Sequence, residues 1–401
     1  MLFFLDCDII NSGLSEIKIS EIFILFLKGQ LIFMNIICDK GILNESITAV
    51  SKAVSSHSNL PVLEGIYIKA DEDGKVTLVA NDMEMGIEAK IDAEVKESGQ
   101  TVINARMFSN IVKNLPEDSI YISLNDKNMC TIKSGHSKFE IMGMNPMDFP
   151  ELPSVDPDYS ISISKKSLKE MITKTIFCAS SSENRPVLKG CLMEIMNKRV
   201  RMVATDGFKL AIRTYDTDGE FGERKIIIPS KTLGEINKII KDEEDKVEIS
   251  CTQKNAVFVF ENYKVVTRLI EGEYIKYQSA VYNEGEIELE CPLDELVDSV
   301  YRASLIITGD SNDAPVKFKI CNDNINVSCE TVIGNVDDNI SVMTGNANLE
   351  IGFYNSFLLD VLRACDDETV KIKFKKNINP MIITPLEGDK YLYLLLPRRI
   401  K

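Results

Sequence analysis

The feature that constrains this chain most is a threefold internal repeat with a period of about 125 residues. The helical pattern Leu43, Ser46, Ile47, Val50 recurs as Leu168, Met171, Ile172, Thr175 and again as Leu293, Leu296, Val297, Val300. A second pattern, Met107, Phe108, Ile111, Val112, Leu115, returns as Phe357, Leu358, Val361, Leu362, Cys365. Its middle copy keeps Leu233, Ile236 and Ile240 on the face, whereas Thr232 and Asn237 leave it. An alternating segment follows each second helix: Ser119–Leu124, Lys246–Cys251 and Thr369–Phe374. A period this long exceeds a solenoid unit and has the size of a domain. Apolar residues three and four apart lay one helix face on a neighbour, and alternation marks half-buried antiparallel strands. The fold class that follows is α+β, with three repeated domains of two helices packed on antiparallel sheet.

Within each repeat the order is helix, a Pro-containing loop, two or three strands, a second helix, then further strands. Repeats one and two match closely: Arg185-Pro-Val-Leu-Lys-Gly190 stands for Leu60-Pro-Val-Leu-Glu-Gly65, and Val203-Ala-Thr-Asp206 for Val79-Ala-Asn-Asp82. The stretch from Asn145 to Pro157 carries four prolines and excludes regular structure. A second junction lies near Glu271–Tyr277. The expected domains are 34–152, 158–276 and 280–401. Residues 1–33 stand outside the repeated plan. Their apolar run Ile22–Leu27 is broken by Lys28 and Gln30, short of the ~20 residues a membrane span needs. No basic region precedes it and no small-residue cleavage site follows it. We read the segment as an appendage that an upstream start codon would account for, with Met34 then the natural first residue.

Charge and cysteines exclude several classes. With 46 Lys and Arg against 61 Asp and Glu, the net charge is −15. An average field of that sign disfavours phosphate, although a basic face can be segregated on an acidic body. The outward helix positions Lys52, Arg106, Lys113, Lys165, Lys166, Lys169, Lys174, Lys231, Lys238, Lys241, Arg302 and Arg363 read either as solvated faces or as basic faces aimed at one common target. Ten cysteines form no C-x-x-C, and His57 and His136 have no ligand partner near them in sequence. This is the pattern of buried, reduced thiols in a cytosolic protein, not of a zinc site or disulfide frame. No phosphate-binding glycine loop and no nucleophile elbow occur. Asp216–Gly219 reads as a surface turn, not a calcium loop. Asp206 has a counterpart in Asp82, so it belongs to the repeat's frame as a turn cap. No catalytic residue, metal or cofactor is expected.

From Met34 to Lys401 the chain resembles the bacterial DNA polymerase III beta subunit family, the sliding clamps. The residues that carry the resemblance are Leu60-Pro-Val-Leu63, Ala105-Arg106, Asp148-Phe-Pro150, Val203-Ala-Thr-Asp-Gly-Phe-Lys-Leu210, Glu271-Gly-Glu-Tyr274 and Tyr393-Leu-Leu-Leu-Pro-Arg-Arg-Ile400. The resemblance implies a head-to-tail homodimer closing a ring, helices inside and sheet outside, around double-stranded DNA held without sequence preference. It implies a non-catalytic, cytoplasmic processivity factor with no membrane partner. Short peptides of the replicative polymerase, the clamp loader and repair and translesion polymerases would dock between the second and third domains. Carried over by position, that pocket comprises Leu188, Thr205, Gly207, Phe208, Lys209, Leu210, Ile275, Ser279, Ala280, Leu394, Leu395, Leu396, Pro397, Arg398 and Arg399. The family commonly has His and Arg where this chain has Phe208 and Lys209, and often Pro and Arg at Ile275 and Ser279, which leaves the peptide preference open. Arg106 matches an inward basic position, joined in this reading by Lys174, Lys231 and Lys238. A further inward position falls in the loop around His57, without a basic residue at the equivalent site. Phe139 matches a dimer contact of the first domain, and Leu305 with Ile306 its partners in the third. Two rival readings stand beside this one: an enzyme of nucleotide chemistry on the same body, and a peptide-binding scaffold that never encircles DNA.

Overall fold

The computed structural model describes residues 33–55, 58–153, 158–217, 219, 221–241, 245–307 and 314–400. They fall into two compact units, one running to Pro153 and including Glu261–Lys264, the other comprising Ser154–Phe260 and Val265–Lys401. Residues 1–32 and His57 lie outside the described residues.

The first repeat holds β1 (Met34–Asp39), α1 (Lys40–Val50), β2 (Gly65–Ala70), β3 (Lys75–Asn81), β4 (Met85–Asp92), β5 (Glu94–Glu97), β6 (Gly99–Asn104), α2 (Ala105–Asn114), β7 (Ser119–Leu124), β8 (Met129–Ser134) and β9 (Ser137–Met142). The second holds β10 (Tyr159–Ser164), α3 (Lys165–Thr173), β11 (Gly190–Met196), β12 (Arg199–Thr205), β13 (Lys209–Asp216), β14 (Arg224–Pro229), α4 (Ser230–Ile239), β15 (Lys246–Cys251), β16 (Asn255–Phe260) and β17 (Tyr263–Arg268). The third holds β18 (Ile287–Pro292), α5 (Leu293–Ser304), β19 (Pro315–Cys321), β20 (Asn324–Thr331), β21 (Gly334–Ser341), β22 (Leu349–Tyr354), α6 (Asn355–Ala364), β23 (Thr369–Phe374), β24 (Met381–Pro385) and β25 (Tyr391–Leu395).

Each helix starts where a strand ends, and for α1 to α5 the junction residue says why. Asp39 closes β1 and accepts the Ile42 amide hydrogen bond at 2.9 Å. Asn104 serves α2 through Met107 at 3.1 Å, and Ser164 serves α3 through Ser167 at 3.1 Å. Such a cap satisfies a donor that the first helical turn leaves open, at about 1 kcal/mol each. α4 and α5 follow Pro229 and Pro292 instead, whose rings preset the entering backbone. The loops read before β2 and β11 are single 3-10 turns, Pro61–Glu64 and Pro186–Lys189, each begun by its proline.

In the first unit, β5-β1-β7-β8-β9 form one antiparallel sheet and β4, β3, β2 and β6 run side by side in a second. Leu43, Ile47 and Val50 of α1 and Phe108 and Val112 of α2 fill the core. The proline-rich segment folds back over this unit: Phe149 stacks on Tyr67 with centroids 5.4 Å apart, and Leu152 lies over Gly86. A Cβ at Gly86 would stand 2.1 Å from Leu152 Cδ2, so only glycine admits that contact.

In the second unit, the second and third repeats share one eight-stranded sheet, ordered β14-β11-β12-β13-β25-β24-β23-β18. The seam is the antiparallel pair β13–β25, running from Lys209 opposite Leu395 to Arg213 opposite Tyr391. Helices α3, α4 and α6 pack on one face. The segment joining the repeats crosses the other face, pinned by tyrosine hydroxyls. Tyr277 donates to the Glu194 carboxylate at 2.6 Å, and Tyr282 to the Pro380 carbonyl at 2.6 Å. β21-β20-β19-β22 form a separate four-stranded sheet.

Several helix positions differ from the expectation. Lys165, expected outward, is fully buried, its ammonium 3.2 Å from Asp245; it is the first residue of α3, held there by its own amide, which donates to the Asp245 carbonyl at 2.8 Å. Thr232, expected off the apolar face of α4, is buried on it, because its hydroxyl finds that of Thr267 at 2.8 Å. A satisfied hydroxyl costs little in a core. Met107 and Val297 lie off the apolar faces, exposed and half-buried respectively.

Candidate protein-docking groove and basic helix faces

Thr205, Leu210, Leu394 and Ile382 form one row across β12, β13, β25 and β24. Opposed residues in an antiparallel ladder share a face, so this row lies on the side away from the helices. Leu188, Leu210 and Leu394 join Tyr274, Tyr277 and Ile382 in one apolar cluster. Asp206 shapes the rim as a turn cap, its carboxylate accepting the amides of Phe208 at 2.8 Å and Lys209 at 2.9 Å. Asp82 repeats the device on Glu84 and Met85. Gly207 sits in this turn at φ +93, a conformation that L side chains rarely adopt. The cap thrusts Phe208 outward at 57 % exposure, and the Phe208 carbonyl accepts the Leu396 amide at 2.8 Å. Leu396 is exposed, as are Ile275, Ser279 and Ala280 on the segment that carries Tyr274 and Tyr277. After Pro397, the Arg398 amide bonds the Gly352 carbonyl at 2.7 Å and its guanidinium lies 4.2 Å from the Tyr354 ring, while Arg399 is exposed.

Two expected pocket residues face the other way. Lys209 and Leu395 are neighbours of Leu210 and Leu394, and successive strand residues point to opposite faces. Lys209 is buried on the helix side, 2.8 Å from Asp360, between the rings of Phe177 and Phe357 at 5.3 and 4.7 Å. Leu395 is buried there too. Tyr274 and Tyr277 belong to the groove's apolar layer and were absent from the expected set; their spacing in a loop carries no periodic signal. Phe357, whose ring flanks Lys209 on the helix side, also approaches Phe208, centroids 6.5 Å apart, and Tyr354, centroids 5.4 Å apart.

The helix side of the seam holds an ionic cluster. Arg213 is fully buried and its Nη2 bonds both Glu170 and Asp366, while Tyr215 donates to Glu170. Lys174 pairs with Asp366 at 3.1 Å and Lys390 with Asp366 at 3.2 Å. Burial pushes the Asp366 carboxyl up, but hydrogen bonds and charge from Arg213 and Lys174 prevail and hold it down at about 2. Glu170 is lowered in the same way against its burial, by Tyr215 and Arg213. Burial and the bond to Glu170 raise Tyr215 to about 12. Lys174 is therefore committed inside the unit and not a freely presented DNA contact.

The remaining basic positions stand on helix surfaces: Arg106 on α2, and Lys231 and Lys238 on α4, are exposed, with Lys238 2.9 Å from Glu235. Phe139 is exposed on β9, an edge strand. Leu305, at the end of α5, is 60 % exposed, and Ile306 half-buried. Among the described residues no group of three or more His, Cys, Asp or Glu is placed to hold a metal.

Repeated two-helix domains on antiparallel sheet, with an apolar groove at the seam of the second and third, define a DNA clamp. Family profiles of the DNA polymerase III beta subunit match in sequence: the N-terminal domain over 34–153, the central domain over 162–276 and the C-terminal domain over 280–399. The beta sliding clamp of Halalkalibacterium halodurans is 32% identical over 380 residues, covering 91% of this chain and all of the relative; that of Staphylococcus epidermidis is 33% identical over 358 residues, covering 87% and 94%. A putative beta subunit structure from Eubacterium rectale superposes with TM-score 0.88 at 34% identity, covering 92% of this chain and all of its own. The Bacillus subtilis sliding clamp superposes with TM-score 0.88 at 29% identity and the same coverage. The chain belongs to the bacterial DNA polymerase III beta subunit family, the beta sliding clamps. It is a non-catalytic processivity subunit.

Proposed function

We propose that the protein closes a head-to-tail homodimeric ring around double-stranded DNA and tethers the replicative polymerase to it. The same groove would serve the clamp loader and repair and translesion polymerases. Its working bodies would be 34–152, 158–276 and 280–401, with residues 1–33 outside them. The observation that carries the docking role is the cluster of Leu188, Leu210 and Leu394, apolar and framed by the exposed Phe208 and Leu396. A peptide presenting Gln with Leu or Phe would seat its apolar side chains there. Leu305 and Phe139, large apolar groups exposed in the single chain, support the dimer contact. The exposed Arg106, Lys231 and Lys238 support weak phosphate contacts without base readout. The nine described cysteines are all free and eight are buried, which supports the cytoplasm as its compartment. No described helix is long and apolar enough to cross a membrane.

Retention on DNA separates this function from its rivals. A ring loaded on nicked circular DNA should stay through gel filtration and be lost when the circle is linearised. Equal retention on both forms would mean binding by affinity, not enclosure. Nuclease or polymerase activity in a homogeneous preparation would favour the enzyme reading.

A further inference from the structure

We infer that a cavity beside the docking groove, on the same face of the eight-stranded sheet, binds an acidic peptide segment that flanks the docked motif. The inference rests on the reading of the groove as a peptide site. The cavity measures about 590 Å³ and opens between Tyr277 and Tyr282 of the connecting segment and the turn that carries Asp389. Its floor includes Ile212 and Leu392, which face each other on β13 and β25 two residues along from Leu210 and Leu394. At about 3.4 Å per residue, the two pairs stand about 7 Å apart. Ile212, Leu210, Leu394 and Tyr277 belong to one apolar cluster, with Leu392 packed against it. The connecting segment thus divides a single apolar strip into two openings.

The charge of the second opening selects the occupant. Arg201, Lys371 and Lys373 line it against a single lining carboxylate, Asp389, in a chain of net charge −15. Asp389 is already engaged, accepting from Arg199 at 2.6 and 3.2 Å. Arg201 lies 3.7 Å from Glu194, and Lys373 donates to the Asn283 carbonyl at 2.7 Å. Lys371 makes no ion pair among the described residues. Glu290 and Glu288 oppose Lys371 and Lys373 across β18 but do not line the cavity. These carboxylates, with Glu194, would repel a continuous polyanion such as nucleic acid. A peptide can instead set one or two carboxylates against Lys371 and Lys373 and an apolar side chain on Ile212 and Leu392.

The test compares a fluorescent Gln- and Leu-containing motif peptide with versions extended at either end by Asp, Glu and one Leu, measured by anisotropy on the full chain. One extension should tighten binding about fivefold at low salt, the scale of a pair of exposed ionic contacts, and the gain should fade as salt rises. Lys371→Glu, which breaks no contact of the connecting segment, should abolish the gain and leave the unextended peptide unchanged. No gain from either extension, or an undiminished gain in Lys371→Glu, overturns the inference. Failure of the unextended peptide to bind removes the groove reading instead. The cavity is then judged by lysine acetylation and mass spectrometry: the acidic peptide alone should protect Lys371, and absence of protection refutes the site. Equal protection by oligothymidine would refute its assignment to a peptide.

Discussion

At the scale of single residues, the second and third repeats are tied together by Arg213, a guanidinium buried on the helix side of the β13–β25 seam. It joins Glu170 of the second repeat to Asp366 of the third. Breaking a buried ion pair by removing one partner costs about 3–5 kcal/mol. Lys174 and Lys390 still reach the two carboxylates, so Arg213→Met should fall at the lower end, about 3 kcal/mol by denaturant titration. Because Asp366 is held at about 2 in the folded chain, below the ordinary ~3.9 of an aspartate, its contribution is fully present above the unfolded value. It is lost as pH falls through the folded one. Wild-type stability should therefore decline between about pH 4 and pH 2. Asp366→Asn should be less stable at neutral pH and show a shallower decline over that window. An identical acid limb in both proteins would refute the assignment.

Among the elements, β25 and its tail couple the core to the groove. Leu394 and Leu395 are core residues of the strand, whereas Leu396 is exposed and its amide bonds the Phe208 carbonyl at the rim. Deleting Leu396–Lys401 should abolish binding of a polymerase-type motif peptide, since anchors in such pockets carry about 2 kcal/mol or more each. It should leave the dimer intact; calorimetry showing wild-type affinity would refute the groove. The end of α5 offers the complementary test. Burying Leu305 and Ile306 against Phe139 of a second copy would contribute roughly 1.5–3 kcal/mol per side chain before ordering costs, and the contact occurs twice in a closed ring. Ile306→Asp should sediment as a folded monomer at micromolar concentration. A persistent dimer with unchanged circular dichroism would place the interface elsewhere.

For the whole molecule, an acidic body with exposed cations on helix surfaces fits a ring that holds DNA by closure and touches it weakly. Charge reversal at Arg106, Lys231 and Lys238 should weaken DNA association and flatten its salt dependence, with the thermal midpoint nearly unchanged. Reversal at Lys174 should instead lower the midpoint, because that side chain neutralises Asp366. Thermal unfolding alongside DNA retention distinguishes the two classes. The sequence by itself determined the threefold plan, the helix faces around Leu43, Leu168 and Leu293, the strands Ser119–Leu124, Lys246–Cys251 and Thr369–Phe374, and the turn-capping role of Asp82 and Asp206. All of these are local, encoded in the period of apolar residues and in short-range hydrogen bonds. Only the tertiary structure decided the register that sets Leu210 opposite Leu394 in a pocket the resemblance had already grouped, that Lys209 and Leu395 turn to the helices, and that Lys165 and Lys174 are spent on Asp245 and Asp366. Those outcomes follow from strand register and from partners far along the chain, and neither leaves a periodic trace around the residues it governs.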